Sequence, residues 1–128
     1  FEYAISLAEE TDAQLTLLHV VEMLVDVGQE PTIGDDQYAR LRGGAIVDAR
    51  RRLNALIPDD ARAYCSVDAL VVEGRAYKEI LCQAKQKRAD LIVMGVHGRG
   101  AIDLLLFGST THHVLHGSTC PVLIVRQG

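Results

Sequence analysis

Residues 89–111 have the sequence ADLIVMGVHGRGAIDLLLFGSTT, from which the fold class can be predicted. Leu91–Met94 is a continuous apolar run, which is typical of a strand whose two faces are both buried. A glycine-rich loop is predicted at 95–100, and a helix from about Ser109 to His116. A strand, a glycine-rich loop and a helix in this order form one unit of a parallel α/β sheet.

The rest of the chain repeats this alternation of strands and helices. Further strands are predicted where apolar and β-branched residues are concentrated, at Leu15–Val21, Cys65–Val71 and Val122–Val125. Further helices are predicted where apolar residues recur every three or four positions, over 1–12, from about Asp36 to Ile57, and over 76–88. A loop is predicted at 22–35. The pattern predicts one α/β domain over residues 1–128, with helices on both faces of a parallel sheet.

The long second helix is expected to bury one apolar stripe. The stripe consists of Tyr38, Leu41, Ala45, Ala49, Leu53 and Leu56. Pro58 is expected to end the helix. Gly43 and Gly44 lie inside it, where each glycine costs roughly 1 kcal/mol relative to alanine. We therefore expect a kink, or close packing against a neighbour, at this pair.

The first predicted helix has no strand in front of it. Parallel α/β units run from strand through helix to strand with a right-handed crossover, so this helix needs a parent strand. We expect that a preceding strand of the native protein is absent from residues 1–128. Its absence would leave hydrogen bonds of two neighbouring strands unmade.

Composition and charge argue against several classes of protein. The net charge is −4, with 17 acidic and 13 basic residues, which argues against binding to nucleic acid backbones. No apolar run approaches the ~20 residues of a membrane span, so no membrane partner is expected. The three cysteines are odd in number and show no C-x-x-C spacing. They predict neither a disulfide framework nor a zinc knuckle, and they fit a reducing cytoplasm.

The glycines at 95, 98 and 108 suit a loop that holds phosphate. Ligands of open parallel sheets bind beyond the carboxyl ends of the strands, and glycine lets a phosphate approach backbone N–H groups. Gly108 and the three hydroxyl residues after it open a helix, whose first N–H groups are unpaired and whose dipole favours anions. The alternative is that the glycines are turn residues and Ser109 is a helix cap. Residue types alone leave both interpretations open.

The common nucleotide-binding motifs do not match this segment. No G-x-x-x-x-G-K-[ST] sequence occurs in the chain, so it contains no P-loop. Residues 98–103 begin like the G-x-G-x-x-G dinucleotide fingerprint but end in Asp103. A different motif is needed to assign the ligand.

The glycine spacing resembles that of the universal stress proteins. Gly95-x-x-Gly98, nine further residues and Gly108-Ser109 are similar to the G-x-x-G-x9-G-[ST] signature of that family. Residues 89–95 and 120–125 look like its last two strands, and residues 17–20 look like its second strand. The resemblance covers the whole chain and favours the nucleotide interpretation.

The resemblance implies a fold and a ligand. The fold is an open parallel five-stranded sheet of order 3-2-1-4-5, as in adenine nucleotide alpha hydrolases, and its first strand is the one this chain lacks. ATP would lie between the first and fourth strands, with Mg²⁺ beside the triphosphate. By position, the loop that contacts ribose and phosphate comprises Gly95, His97, Gly98, Gly108, Ser109, Thr110 and Thr111. Val20 and Met94 match apolar positions beside the adenine.

The resemblance also implies a dimer. Members of the family pair their last strands across a twofold interface, which would make Val122–Val125 the edge of a homodimer. The protein partner that such a dimer would regulate is unknown. The aspartate that contacts the nucleoside in the family follows the first strand, and it falls outside these residues.

Several other polar residues have two interpretations each. His97 could touch a phosphate or be a surface loop residue, and Arg99 could screen phosphate charge or solvate the loop. His112 and His116 have the four-residue spacing of some metal sites, but no third ligand completes a set, so no metal is expected. Cys120 is expected to be a small buried residue rather than a nucleophile.

Three functions remain to be compared. The first is an ATP-binding regulatory or stress-tolerance module with little or no turnover, and the second is a slow ATPase. Turnover needs a placed metal and a group that orients the attacking water, and the loop offers neither a carboxylate pair nor a lysine. The third is a dimer scaffold that binds no nucleotide, which the intact glycines argue against. No catalytic residue is therefore predicted.

Overall fold

The computed structural model describes residues 1–22, 34–97 and 108–127. The helices in this part of the chain are α1 (Glu2–Thr11), α2 (Asp35–Ala55), α3 (Asp59–Tyr64), α4 (Ala76–Gln86) and α5 (Ser109–Gly117). The strands are β1 (Leu15–Val21), β2 (Val67–Glu73), β3 (Ile92–His97) and β4 (Val122–Gln127). The predicted alternation of helices with parallel strands is confirmed. Most of the loop predicted at 22–35, namely residues 23–33, lies outside the described residues.

The described strands form two parallel pairs. β1 pairs with β2 from Leu15 opposite Val67 to Val21 opposite Glu73. β3 pairs with β4 from Ile92 opposite Val122 to His97 opposite Gln127. Within the described residues these pairs are separate sheets, so the expected single five-stranded sheet is not observed. Both pairings are compatible with the order 3-2-1-4-5, which stays a prediction.

Several predicted element boundaries are wrong. Gly95, Val96 and His97 belong to β3, whereas a loop was expected from residue 95, because the backbone ladder continues with Gly95 opposite Val125. The strand expected at Cys65–Val71 lies two residues later, at Val67–Glu73. Cys65 instead ends α3, a helix that was not predicted and that begins directly after Pro58.

The buried stripe of α2 differs in part from the prediction. Leu53 and Ile57 are buried with exposed fractions of 6% and 4%, whereas Leu41 and Leu56 are 54% and 58% exposed. Of the two alternatives predicted at Gly43-Gly44, close packing is wrong, and a kink stays a prediction. Both glycines are exposed, and a Cβ atom on either would meet no atom within 4 Å. α2 extends through them from Asp35 to Ala55.

Helix α4 packs against one element from each of the two strand–helix groups, that of β1 and β2 and that of β3 and β4. It contacts β1 of one strand pair, and it packs against α5, which connects β3 to β4 in sequence. The packing against α5 is tight at Gly117, where a Cβ atom would lie 2.6 Å from Cδ1 of Leu81. α4 therefore contacts both β1 and α5.

Two further observations bear on the expected setting of the protein. No helix in the described part of the chain is both long enough and apolar enough to cross a membrane. The three cysteines are free thiols: Cys65 is buried, Cys82 exposed and Cys120 half-buried.

Candidate functional site

The N-terminus of α5 is the first part of the candidate site. Gly108 is its N-cap, and no side chain in the described residues caps this end of the helix. Its first turn contains no acidic residue. The N–H of His112 donates to the carbonyl of Gly108 at 3.1 Å, so the N–H groups of residues 109–111 precede the first hydrogen bond of the helix. These groups and the helix dipole together favour an anion.

Glycine at position 108 also leaves room for that anion. A Cβ atom there would meet no described atom within 4 Å. The backbone of Gly108, with φ −51° and ψ 159°, is one that any residue can adopt. Gly108 is therefore distinguished by the space beside it among the described residues and not by its backbone conformation.

The N-terminus of α4 is closed in contrast. The N–H of Ala76 donates a hydrogen bond of 2.7 Å to Oε1 of Glu22, which follows β1. Glu79 adds a second carboxylate to the first turn of this helix. A third carboxylate at this edge of the strands is also engaged, because Arg42 of α2 forms an ion pair with Glu73 at the end of β2. Carboxylates are thus engaged at the N-terminus of α4 and at the end of β2, whereas the first turn of α5 contains none.

The predicted hydroxyl residues differ in access to solvent. Ser109 is exposed and Thr110 is half-buried. Thr111 has an exposed fraction of 6%, on the side of α5 that also buries Val114. The hydroxyls of Ser109 and Thr110 are therefore the more accessible ones, and the position of Thr111 in the first turn leaves its backbone N–H as its available donor.

The other predicted site residues lie in the strands or outside the described residues. Val20 is half-buried in β1, Met94 is half-buried in β3, and the two belong to different strand pairs. Gly95 is exposed in β3, and His97 is its last residue, opposite Gln127. Gly98 and Arg99 lie outside the described residues, as does Asp103. The structure therefore brings Gly108, Ser109, Thr110 and Thr111 together but does not place them against Val20.

A pair of rings that the sequence did not reveal lies beside the first turn of α5. The rings of Tyr77 and His113 are stacked, with centroids 4.4 Å apart and planes at 23°. Nδ1 of His113 lies 2.6 Å from the carbonyl oxygen of Ser109. Since a carbonyl can only accept, Nδ1 carries the proton in this bond. The four-residue spacing of Ser109 and His113 could have suggested the bond, whereas Tyr77 is too distant in sequence to be found from spacing.

The two histidines considered for a metal do lie together. The ring centroids of His112 and His116 are 4.5 Å apart on α5. In the described ranges no group of three or more His, Cys, Asp or Glu side chains could hold a metal ion. The pair alone gives no reason to assign a metal centre.

A cleft of about 360 Å³ lies away from these residues, at the other end of α4 and α5. Its lining is largely apolar and small, and it includes Leu81, Cys82, Ala84, Gly117 and Cys120. One lysine, Lys85, borders it. Among the described residues, the lining offers an anion only this one charged side chain, whereas the start of α5 offers three backbone N–H groups.

Comparison with known proteins gives a consistent result. The sequence model of the universal stress protein family matches residues 1–126. Universal stress protein A homolog 2 of Coxiella burnetii is 40% identical over 126 residues, which cover 98% of this chain and 82% of that protein.

Solved structures share the fold at lower sequence identity. Protein MJ0577 of Methanocaldococcus jannaschii aligns with a TM-score of 0.75 at 24% identity, over 99% of this chain and 88% of that one. A universal stress protein in complex with cAMP aligns with a TM-score of 0.61 at 23% identity, over 98% of this chain and 86% of that one. A universal stress protein family protein from Arabidopsis thaliana with AMP bound aligns with a TM-score of 0.57 at 18% identity, over 99% of this chain and 78% of that one.

Proposed function

Because the chain belongs to the universal stress protein family, we propose that it binds ATP and acts as a nucleotide-dependent regulatory module in stress tolerance. The observation that carries this proposal is the open N-terminus of α5, which offers unpaired N–H groups without a capping side chain in the described residues. The cAMP and AMP bound by two proteins of the same fold support an adenine nucleotide as the ligand.

The phosphates would lie against the start of α5. Gly108 gives them access, Ser109 and Thr110 supply hydroxyls and N–H groups, and Thr111 supplies an N–H group. Gly95, His97, Gly98 and Arg99 would complete this side by their place in the sequence motif. Mg²⁺ would accompany the triphosphate, and the absence of a carboxylate from the first turn of α5 fits a site in which phosphate oxygens are its main ligands.

The adenine would lie between Val20 and Met94, which requires β1 and β3 to belong to one sheet. A further parallel strand between them would give the order 3-2-1-4-5 and would pair the inner edges of both strands. This strand and residues 1–128 would together form a single domain. The two separate pairs that are observed support its place in the middle of the sheet.

Nucleotide binding is favoured over turnover. Phosphoryl transfer to water needs a group that orients the attacking molecule, and the first turn of α5 contains hydroxyls but no carboxylate. A slow ATPase is the alternative, and a scaffold without nucleotide is a second one. We place the protein in the cytoplasm, where its three free thiols would remain reduced.

The dimer would form through the outer edge of β4. In the described residues β4 pairs only with β3, and Leu123 on it is 42% exposed. An unpaired edge strand with an exposed apolar side chain is a surface that a second copy can cover.

The experiment is to purify the full-length protein, denature it and identify any released small molecule by chromatography. The protein freed of ligand is then titrated with ATP and Mg²⁺ by calorimetry, and ADP formation is followed over hours. Stoichiometric ATP with negligible ADP formation supports the binding module, and steady ADP formation supports the slow ATPase. If no nucleotide is released and the titration produces no heat, the protein acts as a dimer scaffold.

A further inference from the structure

We propose that Tyr77 and His113 are positioning residues for the phosphate site, an inference that rests on the proposed function. Neither residue belongs to the glycine motif, and neither is in a position predicted to touch the nucleotide. Their contacts lead to the first turn of α5, where the phosphates would bind.

The hydrogen bond from His113 acts on a peptide group of the site itself. Nδ1 donates to the carbonyl of Ser109, and that carbonyl belongs to the same peptide unit as the N–H of Thr110. A hydrogen bond accepted by a carbonyl polarises its peptide unit and makes the N–H of that unit a stronger donor. His113 thus strengthens one of the donors that face the ligand.

Tyr77 holds the imidazole in the orientation that this bond requires. His113 is exposed, and a free exposed side chain samples several rotamers. The phenol ring of Tyr77 covers one face of the imidazole at a centroid distance of 4.4 Å. One helical turn further along, Gly117 lets Leu81 approach α5 closely, so the two helices also pack closely beyond the ring contact.

The position of Tyr77 is fixed in turn from β1. Ala76, its neighbour in sequence, is held by the carboxylate of Glu22, which follows β1. The contacts therefore run from the end of β1, near Val20, through the first turn of α4 to the first turn of α5. They set the phosphate side of the site relative to the strand proposed to carry the adenine side.

The test compares two ligands on the full-length protein. ATP and adenosine affinities are measured by calorimetry for the wild type and for His113→Ala, Tyr77→Ala and Tyr77→Phe. His116→Ala is the matched control, because His116 is an exposed histidine of the same helix whose ring packs on His112, whereas His113 packs on Tyr77 and bonds Ser109. Adenosine lacks phosphates, so its affinity reports on the nucleoside side alone.

We expect His113→Ala and Tyr77→Ala to weaken ATP binding by about two- to threefold, because they remove no hydrogen bond to the ligand and only the roughly 10–30% strengthening of one donor. Their adenosine affinity should be unchanged. Tyr77→Phe, which keeps the ring, and His116→Ala should bind both ligands as the wild type does. Unchanged ATP affinity in both alanine variants, or an equal loss for ATP and adenosine, would overturn the positioning role. A wild type that binds no ATP would instead overturn the proposed function.

Discussion

The backbone N–H of Ala76 donates a hydrogen bond to Oε1 of Glu22, so a residue that follows β1 caps the helix that follows β2. The N-cap residue of α4, Arg75, forms no capping hydrogen bond of its own. A side chain 54 positions earlier in sequence thus performs the function that a local serine or aspartate usually performs.

We expect Glu22→Ala to lower the free energy of unfolding by about 1 kcal/mol, because it removes a capping acceptor and a favourable charge at the helix dipole. Glu22→Gln keeps an oxygen acceptor and should recover most of the loss. Urea denaturation followed by circular dichroism measures both variants. Equal stability of the alanine variant and the wild type would show that the cap contributes nothing in solution.

Gly74 is expected to be essential for stability, unlike the glycines of α2. Its φ is +150°, and a Cβ atom there would lie 2.8 Å from Oε1 of Glu79, so Gly74→Ala should cost about 1–3 kcal/mol. Gly43→Ala is the control, since a Cβ atom there meets no atom within 4 Å and alanine is the better helix former by about 1 kcal/mol. Thermal unfolding should therefore shift down for the first variant and up for the second. A rise for both would contradict the strain assigned to Gly74.

Gly108→Val should weaken ATP binding by about 100-fold or more, because the new side chain would occupy the space beside the N–H groups of α5 and displace charge-assisted hydrogen bonds of about 1.5–3 kcal/mol each. Gly98→Val should weaken ATP binding in the same way, because Gly98 belongs to the same glycine motif. The fold should survive, since valine at position 108 would meet no described atom at its Cβ.

Gly34→Val is the matched control for Gly108→Val. Gly34 is the N-cap of α2 with φ −55° and ψ 148°, close to the φ −51° and ψ 159° of Gly108, and a Cβ atom there also meets nothing within 4 Å. The Gly34→Val variant should bind ATP with the wild-type affinity in the same titration. Comparable affinity of the two valine variants would mean that the phosphates bind elsewhere.

Leu123→Asp should convert the proposed dimer to a monomer, because it puts a charge on the exposed edge strand β4. Val47→Asp, on α2, is the control at a residue that is 69% exposed and far from β4 in sequence. Sedimentation velocity of both variants measures the result. A Leu123→Asp protein that still sediments as a dimer would place the interface on another surface.

The periodicity of the sequence predicted the secondary structure well where side chains alone decide it. β1 has the predicted bounds, Leu15–Val21, because Thr16, Val20 and Val21 favour extended backbone and the strand contains no glycine or proline. β3 was predicted too short because Gly95 suggested a loop, whereas pairing with Val125 keeps it in the strand. α3 was missed because Pro58 was interpreted as a stop, although proline followed by two aspartates is also a helix start.

The candidate site was predicted only as far as local motifs allow. The sequence Gly108-Ser109-Thr110 predicted the helix N-terminus, because the unpaired N–H groups at a helix start favour glycine and hydroxyl residues there. The contacts of Ala76 with Glu22 and of Tyr77 with His113 join residues far apart in sequence, and no spacing rule predicts them. Burial of Thr111 likewise depends on what packs against α5.

The separation of the strands into two pairs has a consequence for amide hydrogen exchange. The N–H of Leu15 donates to Ser66 beside β2, so alternation along the strand directs the N–H groups of Leu17, His19 and Val21 to the same side. The N–H groups of Thr16, Leu18 and Val20 then face the edge of β1 with which no described strand pairs, and while that edge is free they should exchange fast between slowly exchanging neighbours. A strand that docks on this edge would slow these three amides and remove the alternation, so the exchange rates along β1 record directly whether the middle of the sheet is filled.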